Sequence, residues 1–362
     1  PSINVMGKNL IQNGAFRVAQ RGTSFTGLGD ASANPYTMDR WFFAEESDGG
    51  GRYTVAQESG AGPGNGFTNQ LSVHCTTADG TLAAGILNLL EQRIEAKELQ
   101  HIMKGTAAAK ALTMSFWVKS SQTGVMNVLI RAQDTDRSIL TNYTINVADT
   151  WEYKSFTIPG DTTGTITNDT GIGFMVYFVL AAGSTFQGGT ADAWATHNNN
   201  RYGTDQTVNI FASTDDDWSV TGVQLEVGSV ATDFEHEDFG VTYLKCKRYL
   251  PFYFDAANNS NFRFAFGAAY RTSYFQCILP FLVPPRAAVT ISVDSIGNWR
   301  AETGDGTGIT VTAIATQPSV NADNFGMWST ANFQSSSGYT AKEPGFLRPN
   351  GTSGIMIASC EL

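Results

Sequence analysis

The chain has 362 residues and a mass of 39.0 kDa, enough to bury about three quarters of its unfolded surface and to form two domains. Its 33 acidic and 23 basic residues leave a net charge of −10 and a pI near 4.9, which repels phosphate backbones, and no cluster of four basic residues overrides that sign, so nucleic acid is excluded as a ligand. Membrane insertion is not expected either, because the longest apolar run, 172–182, falls short of the roughly 18–20 residues that a spanning helix needs, and the N-terminus lacks the basic and apolar regions of a secretory signal.

With only 15% charged residues, 12% aromatics and 37 glycines, the composition favours short strands and turns. GAGPGNG (60–66) is not followed by a helix that could hold a phosphate, and reads as a hairpin loop. Leu71, Val73 and Cys75 alternate with an outward His74, as in a half-buried strand. ILNLLEQRIE (86–95) fits strand or helix, whereas 95–103 has no Gly, Pro or β-branched run and stops before Lys104 and Gly105, which predicts a short helix. In 112–119, Leu112, Met114, Phe116 and Val118 share one face, with Thr113, Ser115, Trp117 and Lys119 opposite. Met126, Val128 and Ile130 repeat the pattern beside Arg131.

The run 172–180 is apolar on both faces and predicts a central strand covered on both sides. Val223, Leu225 and Val227 then alternate with outward Gln224 and Glu226. One wet face per strand is the habit of antiparallel sandwiches. The acidic stretch from Glu235 to Asp238 closes a first module, 1–238, and a second, 239–362, opens its strands after CKRYLPFYF (246–254). There Phe262, Phe264 and Phe266 alternate with Arg263 and Ala265, 274–285 ends at two prolines, and 309–315 and 355–362 alternate again.

Catalytic motifs are missing. The four histidines form no HExxH, no GxSxG occurs, and the chain reads as non-enzymatic, although 33 carboxylates leave a glycoside-cleaving pair open. Cys75, Cys246, Cys277 and Cys360 have no framework or zinc spacing and read as buried free thiols of a chain folded in a reducing compartment, with a disulfide or a metal site as the alternatives.

Several strings, taken in order, carry a resemblance: NLIQNGAF (9–16), AQRGTSFTG (19–27), YTMDRWFF (36–43), QRIE (92–95), LTMSFWVK (112–119), WEYKSFTIP (151–159) and VQLEVGSVATDFE (223–235), followed by CKRY (246–249), FLVPPRAAVTI (281–291) and ASCEL (358–362). The chain resembles bacteriophage tail-fibre and other virion surface proteins that carry a jelly roll of carbohydrate-binding-module type. The resemblance implies an all-β fold, an N-terminal jelly-roll β-sandwich followed by a smaller C-terminal β-sandwich. It also implies a virion protein assembled in the bacterial host cytoplasm, usually an oligomer and often a homotrimer, with other virion proteins as partners. The expected role is a tail-fibre or receptor-binding component that attaches to a host cell-surface glycan; the alternative is a capsid decoration or head-fibre protein with a purely structural role.

A glycan site on a sandwich needs a flat aromatic ring beside planar polar side chains. The loop 190–206 supplies Trp194, His197, Asn198, Arg201 and Tyr202, and Trp299 and Trp328 stand in Gly- and Ser-rich surroundings of the second module. The competing reading is that Trp194 and Tyr202 pack the loop onto its own barrel or a neighbouring subunit, and that the second group fills a small core or a trimer axis. Trp41, Phe42, Trp117 and Trp151 belong to the strand-like strings and are expected in the core. No cofactor is expected. Related carbohydrate-binding modules often hold a structural calcium through an acid in the last strand; here Gln224 stands there, and Asp215 and Asp217 are the calcium candidates, set against a solvated turn.

Overall fold

The computed structural model describes residues 7–362 apart from 31–33, 48, 61, 257–262, 264, 304–307, 316–327, 336–337, 351–353 and the side chains of 315 and 328–331. The chain divides into two units, residues 1–242 and 243–361. In the first, alternating apolar residues build two six-stranded antiparallel sheets that form a jelly-roll β-sandwich. One sheet runs β1 (Ser24–Leu28), β3 (Arg52–Ser59), β4 (Asn69–Thr77), β12 (Asp217–Val227), β6 (Leu112–Ser120) and β9 (Glu152–Ile158). The other runs β11 (Ala195–Thr196), β8 (Arg137–Ile145), β7 (Gly124–Ala132), β10 (Ile172–Ala182), β5 (Leu87–Glu95) and β2 (Trp41–Glu46).

The inward faces meet around Phe178 of β10. Its ring lies 5.0 Å from Phe116 of β6, 5.5 Å from Trp218 of β12 and 6.3 Å from Trp41 of β2, so both sheets converge on one aromatic hub. The ambiguous segment 86–95 resolves as β5, next to β10. Both faces of β10 are covered, as its sequence predicts: Phe174, Val176, Phe178 and Leu180 enter the sandwich core, while Met175, Tyr177 and Val179 join Leu89, Leu129 and Leu140 in a second cluster outside the sheet.

The short helix expected at 95–103 is a 3-10 helix, Ala96–Ile102; no side chain caps its start, and Met103 ends it in the left-handed conformation. A helix that the patterning did not predict, Phe239–Lys247, spans the division between the units. Its signals are nonetheless ordinary ones: the Asp238 carboxylate accepts from Gly240 N at 2.7 Å, and Lys245 and Lys247 occupy the last turn.

The second unit is a smaller all-β sandwich. A three-stranded sheet of β13 (Phe252–Asp255), β22 (Ile355–Ser359) and β16 (Thr290–Val293) shares a core with seven strands in the order β18 (Gly308–Thr310), β17 (Trp299–Thr303), β21 (Pro344–Pro349), β14 (Ala265–Arg271), β15 (Tyr274–Pro280), β20 (Trp328–Gln334) and β19 (Ala313–Ala315). Phe262 and Phe264 lie outside the described residues, and Phe266 faces solvent. All four cysteines are buried, and none is in a disulfide. No described helix is long and apolar enough to cross a membrane.

Only Trp41 of the four aromatics expected in the core is fully buried. Phe42 is half-buried under the Arg93 guanidinium at 4.8 Å, Trp151 is half-buried beside Lys119, whose Nζ lies 5.9 Å from its ring, and Trp117 stands on the outer face of β6 because strand alternation leaves it there. The hub makes the first prediction: Phe178→Ala costs about 3–5 kcal/mol in urea unfolding of the whole chain. A loss below about 1 kcal/mol would show that the two sheets do not depend on this ring.

Candidate functional site

The outward apolar residues of β10 decide what the loop 183–206 does. Met175, Tyr177 and Val179 would face water uncovered, and the loop lays Phe186 and Tyr202 across them. Tyr202 is 8% exposed and edge-on to Tyr177, Phe186 and His197. Arg201, also buried, spends its guanidinium on the carbonyls of Ser138, Thr196, Thr190 and Ala193 at 3.1–3.4 Å, which ties the loop to itself and to β8. His197 Nδ1 lies 3.1 Å from Ser138 Oγ, and its Nε2 is buried without a hydrogen-bond partner. Burial, then the nearby Arg131 and Arg201, lower its pKa to about 4.

Trp194 is drawn inward as well. Its Nε1 donates to Pro159 O at 2.7 Å, its ring is 6.3 Å from Phe174, and Lys104 Nζ lies 5.7 Å from it. Lys104 is itself held at 3.1 Å by Asp161, which Arg137 contacts at 2.8 Å. Of the residues proposed in this loop only Asn198 is exposed, and its carboxamide oxygen accepts from Asn200 N. The loop therefore covers the sheet, with Tyr202 buried and Trp194 partly buried against it.

The other candidates fare similarly. Trp299 is fully buried in the core of the second unit with Phe275, Phe333 and Tyr339, and the Trp328 side chain lies outside the described residues. Asp215 is exposed, and Asp217 is half-buried with Oδ1 unpartnered and its pKa raised, chiefly by burial. Between them Asp216 closes the turn, accepting from Ser213 N and Gln122 Nε2 at 2.7 Å each. Among the described residues no three His, Cys, Asp or Glu side chains gather as a metal site would require.

The open site lies on the opposite sheet. Its outer face carries Ser115 and Trp117 from β6, paired in register with Ser155 and Tyr153 from β9. The Trp117 and Tyr153 rings are 5.3 Å apart and tilted by 54°, and Tyr153 is 45% exposed. After β12 the chain turns back over this face as a strap, 228–236. Thr113 and Thr157 donate to the Gly228 and Ser229 carbonyls at 2.9 Å each. Further along, Glu226 accepts from Thr232 N at 2.8 Å and Gln224 Oε1 from Glu235 N at 2.9 Å. Gln224 and Glu226 do point out of the core, as alternation predicts, but the strap buries them.

Between strap and sheet lies a groove of about 780 Å³, the size of a small-ligand site. Its floor is Ser115 and Ser155, and the Trp117 and Tyr153 rings line it. Phe67, Phe234 and His236 pack edge-on and tilted in a triad with each centroid 5.0 Å from the next, and Asn65, whose carbonyl oxygen lies 3.1 Å from His236 Nε2, completes that wall. A bulge in β12 seats Phe67: Gly222 takes φ +63°, and a Cβ there would come within 2.6 Å of the Phe67 ring. Sequence reasoning missed these residues. The available signal was Trp117 on the polar side of LTMSFWVK and Tyr153 alternating with Ser155 in WEYKSF; only the pairing of β6 with β9 brings them together.

No protein-family model matches the chain, and no curated protein matches it. Among solved structures it is similar to the enzymatically active domain of tailspike protein 4 of bacteriophage CBA120, at 12% identity over 61% of this chain and 22% of that one, with a TM-score of 0.30. The chain thus spans about a fifth of the tailspike domain's length. A family 4 carbohydrate-binding module matches at 17% identity over 60% of this chain and 99% of that one, TM-score 0.30. A family 11 module from Clostridium thermocellum, in complex with a β-1,3-1,4-mixed-linked tetrasaccharide, matches at 13% identity over 58% and 99%, TM-score 0.28.

His197 gives the loop a pH dependence with a definite sign. Its folded pKa of about 4 lies below the ordinary 6.5, so the unfolded chain binds the extra proton and stability falls as pH drops from 6.5 towards 4. Relative to a His197→Gln variant, the wild-type unfolding free energy should lose about 3 kcal/mol over that window. Parallel curves for the two chains would contradict a buried neutral imidazole.

Proposed function

We propose that this chain is a non-catalytic glycan-binding protein, and that the groove between the strap and the outer face of β6 and β9 is its site. The observation that carries the reading is the Trp117–Tyr153 pair set beside Ser115 and Ser155. An aromatic face meets the apolar side of a sugar ring, while hydroxyls meet its edge. A groove whose strap is held to the sheet by side-chain to backbone hydrogen bonds binds without first paying to order it. Among the described residues of the lining Asp233 alone carries a carboxylate, whereas glycoside hydrolysis uses two, which supports binding without cleavage. The ordered strings shared with phage tail-fibre proteins support a place on a virion surface, as a receptor-binding component attaching to host glycans. Isothermal titration against a host-surface oligosaccharide should show Trp117→Ala and Tyr153→Ala each weakening binding at least about ten-fold. Trp194→Ala should leave the affinity unchanged, and no new reducing ends should appear. An unchanged affinity in Trp117→Ala would sink the site.

A structural virion role is favoured by a different observation. In the second unit Phe266, Phe346 and Ile278 lie on one sheet face at 59%, 40% and 51% exposure, with the first two rings 5.6 Å apart. Beside them Glu302 pairs with Arg263 and Arg348, so the apolar centre has a rim of both signs, suited to contact with another copy of this chain. This supports a homo-oligomer, a trimer by the tail-fibre resemblance, and a decoration or head-fibre role as the alternative. Native mass spectrometry at micromolar concentration should give a trimer, and Phe346→Glu a monomer. A wild-type monomer would remove the self-association reading.

A further inference from the structure

We infer that the groove selects a neutral glycan and rejects acidic ones; this rests on the glycan-binding reading above and names the class of sugar. No Lys or Arg is among the described residues that line the groove, and its one carboxylate, Asp233, is exposed at the strap. A uronate, sulfate or phosphate substituent entering the groove would leave water without a cation to meet it, and would approach a negative charge.

The nearest basic side chains are hydrogen-bonded, ion-paired or packed against other groups of the protein. Lys8 approaches the strap, its Nζ donating to Asp233 O at 2.7 Å and to Thr232 Oγ1, and it does not line the groove. Lys119, two residues beyond Trp117 on the same face of β6, lies with Nζ 5.9 Å from the Trp151 ring and close enough to Asp217 to favour that residue's ionised form. Lys154 of β9 is 2.6 Å from Glu152 on the other face of its strand. His236, the remaining basic side chain at the wall, packs between Phe67 and Phe234 with Nε2 on the Asn65 carbonyl. A net charge of −10 adds a long-range repulsion of the same sign.

The test uses the full chain at low ionic strength. Its binding is measured to a panel of neutral hexose oligosaccharides of the common linkages, each beside uronate and sulfate counterparts of the same backbone. At least one neutral probe should bind through Trp117, and its acidic counterparts should bind at least about ten-fold more weakly. That gap should narrow as salt is added and in Asp233→Asn. Acidic counterparts bound equally well or better would overturn the selectivity while leaving the glycan-binding reading in place. No probe bound in a Trp117-dependent way would overturn both.

Discussion

A strand with two apolar faces sits at the centre of the first unit, and much of that unit follows from covering it. β10 turns Phe174, Val176, Phe178 and Leu180 into the sandwich and Met175, Tyr177 and Val179 the other way. Each such side chain is worth about 1.5–3 kcal/mol when buried, so leaving the second row in water would forfeit several kcal/mol. The segment 183–206 supplies the cover, and its polar residues are spent in fixing it: Arg201 on four carbonyls, His197 on Ser138, Trp194 on Pro159. A loop committed in this way to closing one sheet has few groups left for a ligand. The opposite sheet carries no second apolar row, and its outer face is where a groove can stay open.

The groove is shaped by the same economy of polar groups. Gln224 and Glu226 point away from the core, and left in water they would be ordinary strand residues. Instead they are buried and bond to Thr232 and Glu235, which ties the chain leaving β12 down onto the sheet. The Phe67–Phe234–His236 triad closes the strap against the β12 bulge at Gly222. The aromatic pair sits on regular strands, where side-chain placement is firmer than on a loop.

Alternation made the sandwich legible in the sequence: LTMSFWVK, the double-faced run 172–180 and the Val223–Leu225 pattern each face the way period two requires. The site was less legible, for a physical reason. Composition points to residues that cluster along the chain, and 190–206 clusters Trp, His, Arg and Tyr because a cover for an apolar sheet needs them. The groove takes Trp117 and Tyr153 from strands 36 positions apart, Phe67 from one hairpin and His236 from the far end of the unit; pairing register, which a single sequence does not state, joins them. Trp117 was within reach, since its own alternation set it opposite Phe116. The strand-like strings that carry the resemblance to tail-fibre proteins point instead to a core role, and the parity argues against it.

Affinity sets the last link between the two units. One tilted aromatic pair and two serines offer a sugar a small contact, and small contacts without a charged anchor give modest single-site binding once the ordering of the ligand is subtracted. Attachment of a particle, on the proposed reading, then depends on how many grooves act together, because linked sites raise effective concentration by orders of magnitude without any new contact. On the proposed reading, the exposed row of Phe266, Phe346 and Ile278 in the second unit is the natural means of multiplying grooves: left uncovered it costs solubility, and covered by further copies it multiplies weak sites. Weak recognition in one unit and self-association in the other are thus complementary requirements, and the neutral lining of the groove suits them, since without cations to attract every acidic surface nearby, binding depends on the shape of the sugar.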